Sequence, residues 1–275
     1  MLLPRFLTAV IGVPLLLGSI YFGSLPFFFV VLCIVLLGLH EFYYLAQETG
    51  YPCYEWVGLL FGALLLVSIY LNAVGFGQVT ENQGTAALIS LALLVFVLRS
   101  LARGPADTTL SEWGITFFGL FYVAWSFSHL VLLRDLRPNG QVLTFFLFVL
   151  IWVEDIVAYA VGLRWGKHPI ATAISPKKTW EGTVAGLLGA LVVGTLFQQL
   201  TDIKQVIHLP GMLLVSLITG LLAFFSDLGE SMIKRGAGVK DSSTLLPGHG
   251  GILDRFDAFI LAAPVFYYYW AFFKR

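Results

Sequence analysis

The sequence predicts an all-α protein, a polytopic bundle of about nine helices that cross a membrane. Three observations lead there. Charged residues make up 12% of the 275 positions, against roughly 25% in a soluble globular domain, and mean hydropathy is +0.87. The apolar residues fall into blocks close to the ~20 residues that a helix needs to cross about 30 Å of hydrocarbon. Within these blocks every face is apolar, so the period-two alternation of a membrane barrel is absent.

In chain order, residues 6–22 follow a short start bearing Arg5. A second apolar block begins almost at once and no small-x-small cleavage site is evident, so 6–22 reads as a span and not as a leader. Residues 26–45 form the second span, with His40 and Glu41 late in it, acids and bases for which the sequence offers no partner. Spans at 57–74, 84–101 and 113–133 follow, the last carrying His129. The sixth, 142–165, contains Glu154 and Asp155. Spans at 182–200, 209–228 and 258–273 complete the set, and Asp227 sits at the end of the eighth beside Phe224 and Phe225. Cys33 and Cys53 make no disulfide framework and match no metal-site spacing. No fixed-period repeat, low-complexity linker or soluble domain interrupts the pattern.

Lys and Arg total 16, as do Asp and Glu, so the chain has no long-range field to draw in nucleic acid. Local clusters must carry any binding. With the amino terminus in the cytoplasm, the inner side collects Arg5, Arg99, Arg103, Arg164, Lys167, Lys177, Lys178, Lys234, Arg235, Lys240 and Arg255, while the outer side keeps Arg134, Arg137, Lys204, Lys274 and Arg275. This is the orientation that the positive-inside rule favours. Two spans separate the loop at 166–181 from the loop at 229–257, so both emerge on one side, where they are placed to form one site.

The charges themselves are concentrated. Asp227, Glu230, Lys234, Arg235, Lys240, Asp241, Asp254, Arg255 and Asp257 lie within 31 residues, nine of the 32 charges in the chain. An ionisable group at the depth of Asp227 usually serves a site or a pathway. Asp254 and Asp257 are three apart, neighbours if the last helix begins there, where one of them would also cap it. Between the acids runs Pro247-Gly248-His249-Gly250-Gly251, whose missing side chains let backbone N–H groups approach a ligand. Carboxylates to hold a divalent cation, with Lys, Arg and N–H groups to hold oxygen anions, are the parts for handling phosphate.

Two upstream clusters add to this. In Ser175-Pro-Lys-Lys-Thr-Trp-Glu-Gly182, Ser175 is expected as an N-cap and Pro176 as the first helical residue. That would put Lys177 and Lys178 in a first turn, against the helix dipole, and so imply an external anion there. In Glu154-Asp-Ile-Val-Ala-Tyr159, adjacent acids point about 100° apart, and Asp155, which shares a face with Tyr159, is the favoured site residue. The segment Gly162-Leu-Arg-Trp-Gly166-Lys167 is not a P-loop: it has three residues between the glycines, and His168 follows where Ser or Thr is needed.

Taken together, Ser231-Met-Ile-Lys234-Arg235, Lys240-Asp241-Ser-Ser243 and Leu246-Pro247-Gly-His249-Gly250-Gly251-Ile-Leu-Asp254-Arg255-Phe-Asp257 resemble the signature of the phosphatidate cytidylyltransferases, also called CDP-diacylglycerol synthases. Asp155-x-x-Ala158-Tyr159, Gly166-Lys167-His168 and the 175–182 segment resemble that family's upstream segments. Motif resemblance covers about residues 155–257; the first half is similar only as a run of apolar spans. Ile156 and Val157 stand where relatives often have a hydroxyl or glycine, and Glu154 is an extra acid.

The resemblance implies N-terminal membrane helices at 1–140 and catalytic helices with cytoplasmic-face loops at 141–275, in the inner (cytoplasmic) membrane of the cell. It implies transfer of the CMP unit of CTP to phosphatidate, giving CDP-diacylglycerol and pyrophosphate for phospholipid synthesis, with Mg²⁺ as cofactor. The family is also associated with a second, monovalent cation, and a homodimer is compatible with it. Expected catalytic residues are Asp227, Asp254, Lys240 and Arg255; Asp227 and Asp254 are expected metal ligands, with Asp257 and Asp155 as further ligands or supports. Ser175, Lys177, Lys178, Lys234, Arg235, His249, Gly250 and Gly251 are expected to bind substrate. Two rivals share parts of the pattern. A CTP-dependent lipid kinase would use the same nucleotide in similar architecture, and a transporter would also place acids within spans, although the chain lacks the internal duplication a transporter would show.

Overall fold

The computed structural model describes residues 2–75, 83–246, 248 and 250–273, with no side chains described for 2–9 and 273. All nine expected apolar segments are helical. Seven are long and apolar enough to cross a membrane: α2 (Ser24–Glu48), α3 (Glu55–Ala73), α4 (Gln83–Arg103), the continuous stretch Thr109–Asp135, α7 (Gly140–Trp165), α8 (Trp180–Leu200) and α9 (Leu209–Gly236). Thr109–Asp135 comprises α5 (Thr109–Gly119), a π-helical turn at Leu120–Trp125 and α6 (Ser126–Asp135). The two terminal spans are shorter. The apolar part of α1 (Leu2–Phe22) is Val10–Phe22, and α11 (Phe259–Phe273) has 15 residues, about 22 Å at the α-helical rise. Before it, α10 (Leu253–Phe256) is a single turn. Large apolar side chains such as Leu98, Leu101, Leu163, Leu188 and Leu200 face outward, as a hydrocarbon solvent allows.

The chain divides into two compact units. The first comprises Met1–Asp135 with Gly236–Phe256. Its core includes Tyr54, which precedes α3, with Phe61, Ala92, Phe96 and Leu120 from α3, α4 and the π-helical turn. Several polar groups buried there are paired, which a membrane interior favours. The Tyr54 hydroxyl lies 2.8 Å from Ser100 Oγ, to which Trp113 Nε1 also donates, and the Tyr43 hydroxyl donates to Thr116 O at 2.8 Å. Buried Glu112 receives Arg103 Nη1 at 2.5 Å. The segment Gly236–Phe256, which the sequence groups with the C-terminal half, packs with the N-terminal helices because Glu41 of α2 collects its hydrogen bonds.

The second unit comprises Leu136–Arg235 with Asp257–Arg275. Between α7 and α8 the chain forms an antiparallel hairpin of β1 (Pro169–Ala171) and β2 (Ser175–Thr179), pairing Pro169 with Thr179 and Ala171 with Ser175. This corrects the expected helix start. Ser175 and Pro176 are strand residues, the N-cap is Thr179, whose Oγ1 accepts from Gly182 N at 3.2 Å, and α8 begins at Trp180 with Glu181 in its first turn. An acid there suits the dipole, so the strand removes Lys177 and Lys178 from the unfavourable position on which the anion argument rested. Helices α7 and α8 run closely side by side. A Cβ on Gly182 would stand 2.6 Å from Ala158 O and 3.1 Å from Gly162 Cα, so this contact uses the small-residue packing common between membrane helices. Helix α9 is tied to the start of α11 through Ser226, which donates to Asp257 O and accepts from Leu261 N at 3.2 Å. Phe148 of α7 packs against Phe259 of α11, with ring centroids 4.5 Å apart and planes tilted by 37°.

Gly182→Val should therefore destabilise the protein by about 1–3 kcal/mol, as overpacking does. Gly229→Ala, whose Cβ would meet nothing within 4 Å, should unfold like wild type or slightly later. Thermal unfolding in detergent checks both, and equal midpoints for Gly182→Val and wild type would contradict the close α7–α8 packing.

Candidate active site

In the second unit the motif residues bring acids and cations together. Asp227, half-buried near the end of α9, receives the Lys178 ammonium on Oδ2 at 2.7 Å and the Ser231 hydroxyl on Oδ1 at 3.4 Å. Lys178 also stands 4.8 Å from the centroid of the Phe224 ring, whose face favours a cation. One turn beyond Asp227, Glu230 is fully buried at 0% exposure and forms a 2.5 Å ion pair with Lys234 four residues on. Burial foremost, then the Asp227 and Glu230 carboxylates, hold the Asp257 carboxyl well above its ordinary range, with Lys234 offsetting part of this. Asp257 Oδ1 accepts from Ala258 N at 2.7 Å, just before α11 begins.

The hairpin is fastened by Glu181. Its Oε1 meets His168 Nδ1 at 2.5 Å, and its Oε2 accepts from Lys167 N and His168 N. Arg235 Nε donates to Ile174 O at 3.2 Å, which joins the end of α9 to the hairpin turn. Ser175 is half-buried and Lys177 is exposed. Of the two adjacent acids on α7, the buried one is Glu154, at 6% exposure, within electrostatic reach of Lys178 and Asp227; Asp155 and Tyr159 are exposed. The sequence favoured Asp155 for its position beside Tyr159, whereas the close approach of Gly186 and Gly220 makes room for Glu154 on the packed face.

In the first unit, Asp254 organises the Gly-rich turn. Its Oδ2 accepts from Ser242 N at 2.8 Å, Ser242 Oγ at 2.9 Å and Gly251 N at 2.7 Å. A bridge between Leu246 and Gly250 closes the turn, with Leu246 N donating to Gly250 O at 2.8 Å. The smallness of Gly251 serves the protein's own acids: a Cβ there would meet Ser242 Oγ and stand 2.5 Å from Glu41 Oε2. Lys240, Asp241 and Arg255 are exposed at the two ends of the turn. His249, with Pro247, lies outside the described residues, as do Lys274 and Arg275 from the charge count.

Glu41 is the residue that sequence reasoning missed. It is 2% exposed and both its oxygens are used, Oε1 by Ser243 Oγ (2.7 Å) and Ile252 N (2.9 Å), Oε2 by Ser242 Oγ (3.0 Å) and Leu253 N (2.7 Å). Its carboxyl within an apolar span was the available signal.

Among the described residues no three of His, Cys, Asp and Glu converge as a metal-holding group. Mg²⁺ is commonly bound through one or two carboxylates together with substrate phosphates, so a protein-only cage is not required. Crowded Asp227 and Asp257 fit such a cation in kind and charge.

Comparison with known proteins bears on what these residues do. A family model described as "Cytidylyltransferase family" matches residues 3–273. The chain belongs to the cytidylyltransferase family. It is 32% identical to a phosphatidate cytidylyltransferase of Synechocystis sp., over 96% of this chain and 95% of that protein. It is 33% identical to one of Bacillus subtilis over 98% of each, and 30% identical to one of Haemophilus influenzae over 99% of each. The similarity thus includes the N-terminal half, where the motif resemblance was silent.

The bonds to Asp254 yield a measurable expectation. Asp254→Ala strands the amides of Ser242 and Gly251, and should destabilise the protein by about 1–3 kcal/mol for each amide left unpaired. Asp254→Asn, which keeps an acceptor oxygen, should lose much less. Denaturant unfolding in detergent separates them, and an Ala variant as stable as wild type would remove Asp254 from the turn.

Proposed function

We propose that this chain is a membrane phosphatidate cytidylyltransferase: it joins the CMP unit of CTP to phosphatidate and releases pyrophosphate. The observation that carries this reading is the Lys178–Asp227 pair set among the Asp257 and Glu230 carboxylates, Lys178 and Asp257 being motif residues, in a chain similar over nearly its whole length to proteins named for that reaction. A phosphatidate oxygen attacks the α-phosphorus of CTP, forming one P–O bond, and the bond to the β-phosphate bridging oxygen breaks. No protein nucleophile is needed. Anionic reactants repel one another, so cationic groups must offset the charge that builds on the leaving pyrophosphate.

In this reading Asp227 and Asp257 hold Mg²⁺, which when bound supplies Lewis-acid charge stabilisation at the phosphates. Lys178 neutralises Asp227 before nucleotide arrives and then has phosphate oxygens as alternative partners. Exposed Lys177 is a phosphate-binding cation of the second unit, where Glu181 fixes the hairpin that presents Lys177 and Lys178; in the first unit the exposed cations suited to phosphate are Lys240 and Arg255. Lys234 instead compensates buried Glu230. Asp254 shapes the Gly-rich turn through its three accepted bonds. The excess of Lys and Arg on the side of both motif loops supports a site on the cytoplasmic face of the inner membrane.

Purified protein supplied with phosphatidate, Mg²⁺ and labelled CTP tests the reading. Label at the α-phosphate should enter the lipid and label at the γ-phosphate should not. The reverse pattern would make the protein a lipid kinase, and label in neither lipid would contradict group transfer from CTP.

A further inference from the structure

We infer that Glu41 is a positioning residue for the motif loop, holding it in the shape in which Lys240 and Arg255 meet the nucleotide; this rests on the cytidylyl-transfer reading. A carboxyl group inside an apolar helix loses hydration and persists only with compensating bonds. Glu41 has four, from two backbone amides and two hydroxyls, which fills the acceptor capacity of both oxygens.

The donors lie at the two ends of one loop. Ser242 and Ser243 directly follow Lys240-Asp241, and Ile252 and Leu253 directly precede Asp254-Arg255. One carboxyl therefore clasps both arms, and each arm carries an exposed cation immediately outside the clasp. Asp254 alone does not do this from the same side: it binds Ser242 and Gly251 from within the loop, whereas Glu41 belongs to α2, 201 residues away in sequence. The two acids meet at Ser242, whose Oγ is 3.0 Å from Glu41 Oε2 and 2.9 Å from Asp254 Oδ2. A hydroxyl has one proton to donate, so the two acids compete for it and the arms are coupled. Gly251 packs where any larger residue would push against Glu41.

Glu41→Gln tests the assignment, because it keeps the size but turns an NH₂ toward two of the donors. Expected are amides of Ser242 and Gly251 to Leu253 that exchange hydrogen about tenfold faster or more, with α8 unchanged and a near-normal thermal midpoint. With it, kcat/KM for CTP should fall about tenfold or more while KM for phosphatidate stays within about twofold. Unchanged exchange in the loop, or equal losses toward both substrates with a melt lowered throughout, would overturn the inference. Should Glu41→Gln not fold, Ser243→Ala removes a single donor from a half-buried position, and should move loop exchange and KM for CTP in the same direction by about two- to fivefold. No movement in either would equally overturn it. Wild-type protein that makes no CDP-lipid would refute the proposed function, and the exchange measurement would still decide whether Glu41 holds the loop.

Discussion

A carboxyl group placed in an apolar helix must find donors, and Glu41 finds them in the loop that carries the family signature. That one constraint accounts for several features at once. Two consecutive serines follow Lys240-Asp241 because their hydroxyls reach Glu41; Gly251 has no side chain because Glu41 and Ser242 fill its space; and Asp254 takes the amides that Glu41 leaves. The signature is in large part a description of how a loop folds around two acids. The residues free of that duty are the exposed ones, Lys240, Asp241 and Arg255.

The second unit solves a related problem by other means. Glycine contacts let α7 and α8 approach, and on α9 buried Glu230 pairs with Lys234 while half-buried Asp227 pairs with Lys178. A buried ion pair contributes little net stability, but losing one partner costs about 3–5 kcal/mol. Lys234 is consequently bound into the fabric of α9, while Lys178 lies on a hairpin strand, paired to a half-buried acid. Fully buried acids build the units, and the exposed or half-buried cations are those that the proposed function assigns to anionic substrates.

Much of this was legible in the sequence. Helices that cross a bilayer must be long, apolar and internally hydrogen-bonded, so their count and order follow from block lengths alone. The charge-rich segment from Asp227 to Asp257 stood out for the same reason. What escaped was pairing over distance. Nothing near Glu41 names Ser242 or Leu253, and nothing near Glu154 states that Gly186 and Gly220 open the packed face to it rather than to Asp155. The strand at Ser175–Thr179 was hidden by Ser-Pro, a good helix start in isolation, because hairpin pairing with Pro169–Ala171 decides the backbone there. A threonine that caps α8 four residues later was the competing signal.

If buried acids are structural and exposed cations grip the substrate, phosphate rather than base should dominate nucleotide binding. Displacement of CTP from the purified protein measures this most directly. With Mg²⁺ present, inorganic pyrophosphate should displace bound CTP, and cytidine at the same concentration should leave it in place. Displacement by cytidine alone, or no CTP binding at all, would contradict it.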